Sequence, residues 1–158
     1  MIDTCKLVYS GLTEDDKREI CSWNYDGKYA IYNLPSYEGM QERKSGFLNP
    51  EREKNFLGFR EDGMLVGFVN ILEERTEVFI GIGVKPDCCG KHYGHRILEQ
   101  TCRISKEKYP EKPLYLEVRT WNLRAVRCYQ NAGFRIDGEP FQQNTGIGTG
   151  EFYRMVRA

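Results

Sequence analysis

The segment VKPDCCGKHYGH, residues 84–95, has the residue types of a loop that binds anions. An apolar run precedes it and residues with helical spacing follow it, so the segment is predicted to join a strand to a helix. The first N–H groups of a helix lack partners within the helix, and the helix dipole adds partial positive charge. Gly90 and Gly94 would let the main chain approach a phosphate, because glycine has no Cβ atom. Phosphate binding is therefore one interpretation of this loop, and a plain tight turn is the other.

Four residues of the same segment are of types that bind zinc: Cys88, Cys89, His92 and His95. Adjacent cysteines in an extended chain point to opposite sides, and the segment lacks the Cys-x2-Cys and His-x3-His spacings of zinc sites. We therefore predict that no metal binds here. The histidines are interpreted as solvated loop residues, which could favour an anion beside Lys91 and Arg96.

The composition is that of one soluble globular domain. The 158 residues can bury one core, and 40% hydrophobic and 29% charged residues exclude a disordered chain. Lys and Arg together number 23, as do Asp and Glu, so the formal net charge of zero argues against nucleic-acid binding driven by overall charge. The first residues do not resemble a secretory signal, and no apolar run approaches the ~20 residues of a membrane-spanning helix. We predict a single cytoplasmic domain over residues 1–158, with no nucleic-acid or membrane partner.

The six cysteines are expected to be free thiols, because the sequence shows no secretory signal. Cys102 and Cys128 fall on predicted helices, where a free cysteine acts as a small apolar core residue. A disulfide framework is therefore not part of the predicted fold.

The helix and strand signals predict a mixed α/β domain in which an antiparallel hairpin leads into one βαβ crossover. Thr13 and Asp16 have the spacing of a capping box that begins a helix, and Asp62-Gly63 is a strong hairpin signal between two apolar runs. The segment 23–50 has no clear period. The predicted elements are a helix at 13–22, two hairpin strands within 55–74, a strand at 76–84, a helix at 94–108, a strand at 113–120, a helix from Asn122 to Gly133, and two closing strands in GFRIDG and EFYRMV.

Two stretches of the sequence together resemble the signature of the GNAT family of N-acetyltransferases. That signature is a strand ending in Val-x-Pro, a loop Arg/Gln-x-x-Gly-x-Gly/Ala and a helix, followed by a strand and a helix with Asn-x-x-Ala-x-x-x-Tyr-x-x-x-Gly-Phe. The second half is complete in LYLEVRTWNLRAVRCYQNAGF, at Asn122, Ala125, Tyr129, Gly133 and Phe134.

The first half of the signature is present at Val84, Pro86 and Gly94, and it departs at two positions. Cys89 stands where the family usually has Arg or Gln, and His92 stands where it usually has Gly. Main-chain amides do most of the phosphate binding in the family, so the change at Cys89 is expected to weaken the loop without abolishing binding. His92 fits if its φ is negative, or if it adopts the left-handed region that His tolerates better than most residues.

The resemblance implies a single GNAT-like domain with a central, mostly antiparallel, twisted sheet, helices on both faces and one βαβ crossover. It implies transfer of acetyl from acetyl-CoA, as co-substrate, to a primary amine by direct attack and without a metal. The strand end would pair with the pantetheine, the loop amides would hold the phosphates, and a helix N-cap would lie near the pantetheine arm. The corresponding residues are Ile82, Gly83, Val84, Cys89, Gly90, Lys91, His92, Tyr93, Gly94, His95 and Asn122.

Tyr129 occupies the tyrosine position of the family's final helix and is therefore the expected acid for the CoA thiolate. The stretch LEVRTWN resembles Rim-type ribosomal-protein N-terminal acetyltransferases, in which a strand glutamate at the spacing of 117 and 129 serves as base. Glu117 is therefore the first choice for the base. Glu77, at the start of the strand that enters the loop, is one alternative, and a water relay is another. Cys89 is disfavoured as an acyl-carrying nucleophile, because only His92 is placed to activate it.

The acceptor is expected to be a small-molecule amine or a peptide amine. In the family, the region before the hairpin shapes the acceptor pocket, and here it carries aromatic residues that could stack on a substrate or cover the core: Trp23, Tyr25, Tyr29, Tyr32 and Tyr37. The alternative function is a non-catalytic acyl-CoA-binding or regulatory module, suggested by the two departures in the loop. A monomer and a homodimer are both compatible with the sequence.

Overall fold

A computed structural model of the protein describes residues 7–145 and 147–158. Their contacts define two compact units. The first contains the described residues up to Asn70 together with Ile82–Tyr93, and the second contains Ile71–Gly81 and Gly94–Ala158. No helix in the described residues is long and apolar enough to cross a membrane.

The first unit packs two short helices on antiparallel strands. Thr13 and Asp16 form the predicted capping box, in which each residue's side chain accepts a hydrogen bond from the other's main-chain N–H. The helix that follows buries Ile20 in an apolar cluster with Trp23, Met40, Phe47, Phe56 and Leu65. The elements are β1 (Val8–Gly11), α1 (Glu14–Ser22), α2 (Tyr37–Arg43), β2 (Phe56–Glu61) and β3 (Met64–Glu73).

The predicted hairpin is confirmed. β2 and β3 pair antiparallel, with Glu61 opposite Met64 at the turn. Asp62 and Gly63 connect them with φ of 52° and 80°, which is the conformation of a tight turn that Asp-Gly favours. β3 and β4 (Val78–Val84) each carry residues of both units.

The predicted βαβ crossover is confirmed, and its strands pair within the second unit. β4 runs parallel to β5 (Leu114–Arg119), with Val78 opposite Leu114, and α3 (Tyr93–Lys108) lies between them in the chain. β5 alternates strictly: Leu114, Leu116 and Val118 are buried, whereas Tyr115, Glu117 and Arg119 are half-exposed. After α4 (Leu123–Asn131), the strands β6 (Arg135–Ile136) and β7 (Phe141–Thr145) both pair antiparallel with β8 (Gly148–Arg157), which also pairs antiparallel with β5.

The mixed α/β class and the mostly antiparallel sheet are confirmed, but two strands were not predicted. β1 escapes sequence reasoning because all four of its residues are exposed, so it has no apolar alternation. β7 has the polar sequence FQQNT, and it forms a hairpin with β8, so the chain closes with three strands where two were predicted. The segment 23–50 holds α2 and short 3₁₀ turns.

All five cysteines in the described part of the chain are free, as predicted, and Cys5 lies outside it. Cys102 is buried and Cys128 is half-buried. Burial raises the pKa of both thiols. These two residues therefore act as the small apolar core residues that their helical positions predicted.

Candidate active site

The end of β4 leads into the cradle loop, residues 85–93. The backbone of this loop has both right-handed and left-handed conformations. A 3₁₀ turn over Pro86–Cys88 leads away from the strand, and α3 begins at Tyr93. Gly90 and His92 have φ of 79° and 65°. His92 thus keeps the left-handed conformation that suits a glycine, which is one of the two conformations expected of it.

The Cys89 side chain points toward the end of β4. Its Sγ atom lies 3.8 Å from the Val84 carbonyl oxygen and 3.6 Å from that of Lys85. A thiol in this orientation adds no positive charge to the loop, so main-chain amides and nearby cations carry any affinity for phosphate. The neighbouring Cys88 is buried, and burial raises the pKa of its thiol although Lys85 and Lys91 act in the opposite direction.

The described residues contain no group of three His, Cys, Asp or Glu side chains arranged to hold a metal ion. At the end of the loop, His95 in the first turn of α3 faces Glu99 one turn later, with Nε2 3.5 Å from Oε2. In the same turn, the Tyr93 hydroxyl donates to the Glu61 carboxylate at the end of β2.

The end of β4 is fixed in place by contacts within the first unit, one of them from Tyr25, which the sequence analysis considered only as part of an aromatic segment. The Tyr25 hydroxyl donates to the Val84 carbonyl oxygen at 2.6 Å. The Lys85 N–H donates to the Val66 carbonyl oxygen at 2.8 Å. A Cβ atom on Gly83 would lie 2.4 Å from the Phe68 ring, so this position requires glycine for the ring to pack there.

The other aromatic residues of the segment divide into core and surface. Trp23 is 7% exposed and its ring lies 6.0 Å from that of Phe68, and Tyr37 is buried with its hydroxyl donating to Glu14. Tyr29 and Tyr32 stack on each other with ring centres 6.5 Å apart, and Tyr32 is exposed. Trp23 and Tyr37 therefore cover the core, and Tyr29 and Tyr32 keep surface that a substrate could contact.

In the second unit, Glu117 lies on the half-exposed face of β5 with Tyr115 and Arg119. Arg154 of β8 is its direct cross-strand neighbour. Among the described residues, the Glu117 carboxylate forms no hydrogen bond or ion pair, and in particular none with Tyr129. A half-buried carboxylate without such a partner can accept a proton or attract a cation.

Glu77, the alternative base, has a different environment. It immediately precedes β4 and forms an ion pair with Arg154, with Nη1 3.3 Å from Oε1 and a second contact through Nη2. Arg154 also reaches Asp137 through Nε at 3.2 Å, and its guanidinium lies 4.4 Å from the centre of the Tyr115 ring. The Glu77 carboxylate is therefore paired with a cation in this structure.

Tyr115 is a second hydroxyl on the face of Glu117. Burial, together with the hydrogen bond that its hydroxyl donates to Glu74 at 2.7 Å, raises the pKa of Tyr115 well above its ordinary range. The charge of Glu117 acts in the same direction. Tyr115 thus keeps its proton, and its hydroxyl is already donated to a carboxylate.

The residues of α4 lie where the sequence predicted. Asn122 is the buried N-cap, and its side-chain oxygen accepts a hydrogen bond from the Ala125 N–H at 3.2 Å. Tyr129 is half-buried, and its ring meets that of Phe134 edge-on at 6.5 Å. Its main-chain oxygen accepts from the Phe134 N–H at 3.0 Å, so the Gly133 turn folds the chain back on the helix end.

The model of the Acetyltransferase (GNAT) family matches residues 16–134 of this sequence, three quarters of the chain. No curated protein gives a significant match. Solved structures show the same fold at low sequence identity.

Three of these structures are acetyltransferases from different organisms. The spermidine N-acetyltransferase from Vibrio cholerae in complex with CoA and spermine is 19% identical, with a TM-score of 0.77 over 95% of this chain and 94% of that chain. The ribosomal-protein-S18-alanine N-acetyltransferase from Escherichia coli is 19% identical, with a TM-score of 0.67 over 96% of this chain and 93% of that chain. A GNAT-family acetyltransferase from Bacillus anthracis is 15% identical, with a TM-score of 0.78 over 95% of this chain and 93% of that chain.

Proposed function

This chain belongs to the acetyltransferase (GNAT) family, and we propose that it transfers an acetyl group from acetyl-CoA to a primary amine. The match of the family over residues 16–134 carries the proposal. The acceptor is a small-molecule amine or a peptide amine, and the reaction proceeds by direct attack of the amine on the thioester.

The cradle loop and the end of β4 are proposed to bind acetyl-CoA. The left-handed residues Gly90 and His92 support this, because such a turn exposes successive N–H groups to an anion. In the first unit the proposal assigns the main chain of Ile82, Gly83 and Val84 and the amides of Cys89, Gly90, Lys91, His92 and Tyr93. In the second unit it assigns Gly94 and His95 at the start of α3, and Asn122 at the start of α4.

Glu117 and Tyr129 are proposed to move the protons. A primary alkylamine with a pKa near ~10 must lose a proton to attack, and the Glu117 carboxylate would accept it directly or through a water molecule. The new C–N bond forms as the C–S bond breaks, and the Tyr129 hydroxyl would donate its proton to the departing sulfur. The absence of any hydrogen bond or ion pair at Glu117 within the described residues supports it over Glu77 as base.

The acceptors named for two relatives of the fold support the proposed acceptor class. One solved relative is a spermidine N-acetyltransferase and another acetylates an alanine of a ribosomal protein, so the same fold accepts a polyamine and a peptide terminus. Both acceptors present a primary amine that is cationic before it reacts. The special likeness to Rim-type enzymes, the cytoplasmic location and the oligomeric state stay predictions from the sequence.

A non-catalytic acyl-CoA-binding module is the second candidate, and it is favoured by Cys89, which stands in the cradle loop where the family usually has Arg or Gln. Calorimetric titration with acetyl-CoA and mass spectrometry of products separate the two. We expect micromolar binding of acetyl-CoA. We also expect an acetylated product, about 42 Da heavier than the amine because an acetyl group replaces a hydrogen, from spermidine or from a peptide with a free N-terminal alanine. Binding with no product from either amine would favour the module, and absence of binding would contradict both functions.

A further inference from the structure

Arg154 is the residue best placed to interfere with Glu117. The antiparallel register of β5 and β8 sets the two residues directly opposite each other, on the same face of the sheet. Side chains of opposite charge in this position ordinarily attract each other. In this structure Arg154 turns away from its cross-strand neighbour.

Three contacts hold the Arg154 guanidinium in that orientation. It binds the Glu77 carboxylate through Nη1 at 3.3 Å and through Nη2, it binds Asp137 through Nε at 3.2 Å, and it lies 4.4 Å from the centre of the Tyr115 ring. The planar guanidinium can satisfy all three at once. The hydrogen bond to Glu77 and that to Asp137 raise the pKa of Arg154, so the group is always a cation.

The other groups that face Glu117 are also held by partners. Tyr115 donates its hydroxyl to Glu74. Arg119 lies over the Phe152 ring at 4.8 Å and reaches the Thr145 hydroxyl at 3.5 Å. Arg119 and Arg154 thus both have partners other than Glu117.

An arginine bound to Glu117 would harm catalysis in two ways. It would favour the ionised carboxylate and so make it a weaker base, and its charge would repel an ammonium substrate. We propose that Glu77 and Asp137 are positioning residues that hold the Arg154 guanidinium away from Glu117 and so keep Glu117 available as the base. This inference rests on the proposed function, and it gives Glu77 a part in the reaction without proton transfer.

The test is a cycle of variants assayed for kcat/KM with spermidine or the alanine peptide, whichever is acetylated. Glu77→Gln combined with Asp137→Asn is expected to lower kcat/KM at least tenfold, and to move the acidic limb of the activity–pH profile to lower pH, because Arg154 is released toward Glu117. Addition of Arg154→Leu is expected to restore kcat/KM to within about threefold of the original chain. Glu111→Gln, an exposed change after α3, is the control and should have no effect.

The outcomes separate the positioning role of Glu77 and Asp137 from the base role of Glu117. A loss that Arg154→Leu does not rescue would overturn the positioning role, and would indicate that Glu77 takes part directly. Full activity of Glu117→Gln would instead overturn the base assignment in the proposed function. A crystal structure of the Glu77→Gln/Asp137→Asn variant provides a measurement independent of any acceptor: we expect Arg154 within about 4 Å of the Glu117 carboxylate, the distance of an ion pair, and an unmoved Arg154 would contradict the inference.

Discussion

Two glutamates near the same sheet face differ in what their carboxylates bind, and the roles that we propose for them rest on this difference. Glu77 has a guanidinium partner in Arg154, whereas Glu117 has neither a hydrogen bond nor an ion pair in the described residues. We therefore place proton transfer at Glu117 and at the Tyr129 hydroxyl, and we expect each to show a distinct kinetic effect.

Tyr129→Phe removes the hydroxyl proposed to protonate CoA and keeps the ring that packs on Phe134. We expect turnover to fall about 10²–10⁴-fold, the usual contribution of a placed acid, with little change in the acetyl-CoA dissociation constant. Steady-state kinetics and calorimetry measure the two quantities. Tyr109→Phe, at a tyrosine beyond α3, is the control. Unchanged turnover in Tyr129→Phe would remove this residue as the acid.

Glu117→Gln replaces the carboxylate with an amide of the same shape that cannot accept a proton. We expect its effect on kcat/KM to be largest at low pH, where the acceptor amine is protonated and must lose its proton to the enzyme. The measurement is kcat/KM across a pH series for both proteins, with Glu111→Gln as control. A constant ratio at every pH would count against a base role.

The residue types of the site could be predicted from the sequence, but their partners could not. Tyr129 and Asn122 are implied by the resemblance to the family's signature, whose spacing lies along one helix. The choice between Glu117 and Glu77 depends on Arg154, which is 77 positions from Glu77 in the chain. Sequence spacing contains no information on such a long-range ion pair.

At the level of elements, β4 is the strand on which the cradle loop depends. Its last residues are fixed by Tyr25 through the Val84 carbonyl oxygen, and Gly83 leaves room for the Phe68 ring. Phe68 in turn packs against Phe56 and Phe47, with ring centres 6.5 and 6.0 Å away. The position of the loop is thus coupled to the aromatic core of the first unit.

Gly83→Ala is expected to destabilise the protein by about 1–3 kcal/mol, because the added methyl group must displace the Phe68 ring or shift the strand. Urea unfolding measures the free energy change. Gly11→Ala in β1, where a Cβ atom meets nothing within 4 Å, is the matched control. The cost of Gly83→Ala should be smaller in a Phe68→Leu background, and an equal cost in both backgrounds would show that the ring is not the cause.

Elements with strong local signals could be predicted, and those defined by pairing could not. The capping box of α1, the Asp62-Gly63 turn and the alternation of β5 are all properties of a few neighbouring residues. β1 and β7 are strands because β2 and β8 offer them hydrogen-bonding edges, while their own side chains are exposed or polar. Their assignment therefore requires the rest of the sheet.

The molecule as a whole has equal numbers of positive and negative residues, and two of the charged residues in the described part of the chain are buried. On α1, Asp16 and Lys17 are 3% and 2% exposed, and their partners are Arg60 for the first and Glu14 and Glu53 for the second. Buried charges with these partners make folding stability sensitive to pH.

Asp16 is the residue from which we predict how folding stability changes at low pH. Burial alone would raise its pKa, but the Thr13 N–H and the Arg60 guanidinium outweigh burial and hold the pKa of Asp16 below its ordinary value of 3.8. Because the folded pKa is the lower one, the contribution to stability is complete above the unfolded value and is lost as the pH falls through the folded value.

The free energy of unfolding should therefore fall more steeply below about pH 4 in the original chain than in Asp16→Asn, which lacks this contribution at every pH. Urea unfolding over a pH series is the measurement. Asp15→Asn, at the exposed neighbour on the same turn of α1, should keep the original slope. Parallel curves for Asp16→Asn and the original chain would contradict the prediction.

The left-handed backbone at His92 bears on how such loops are found in other genomes. A search pattern written in residue letters, with glycine required at this position, rejects this chain, although its φ of 65° is what the glycine would supply. Asn and Asp tolerate the same region as His, so they too could stand there. A pattern that requires a residue able to adopt the left-handed backbone conformation at this position would allow Gly, His, Asn and Asp. It would retrieve acetyltransferase loops that a glycine-only motif leaves out.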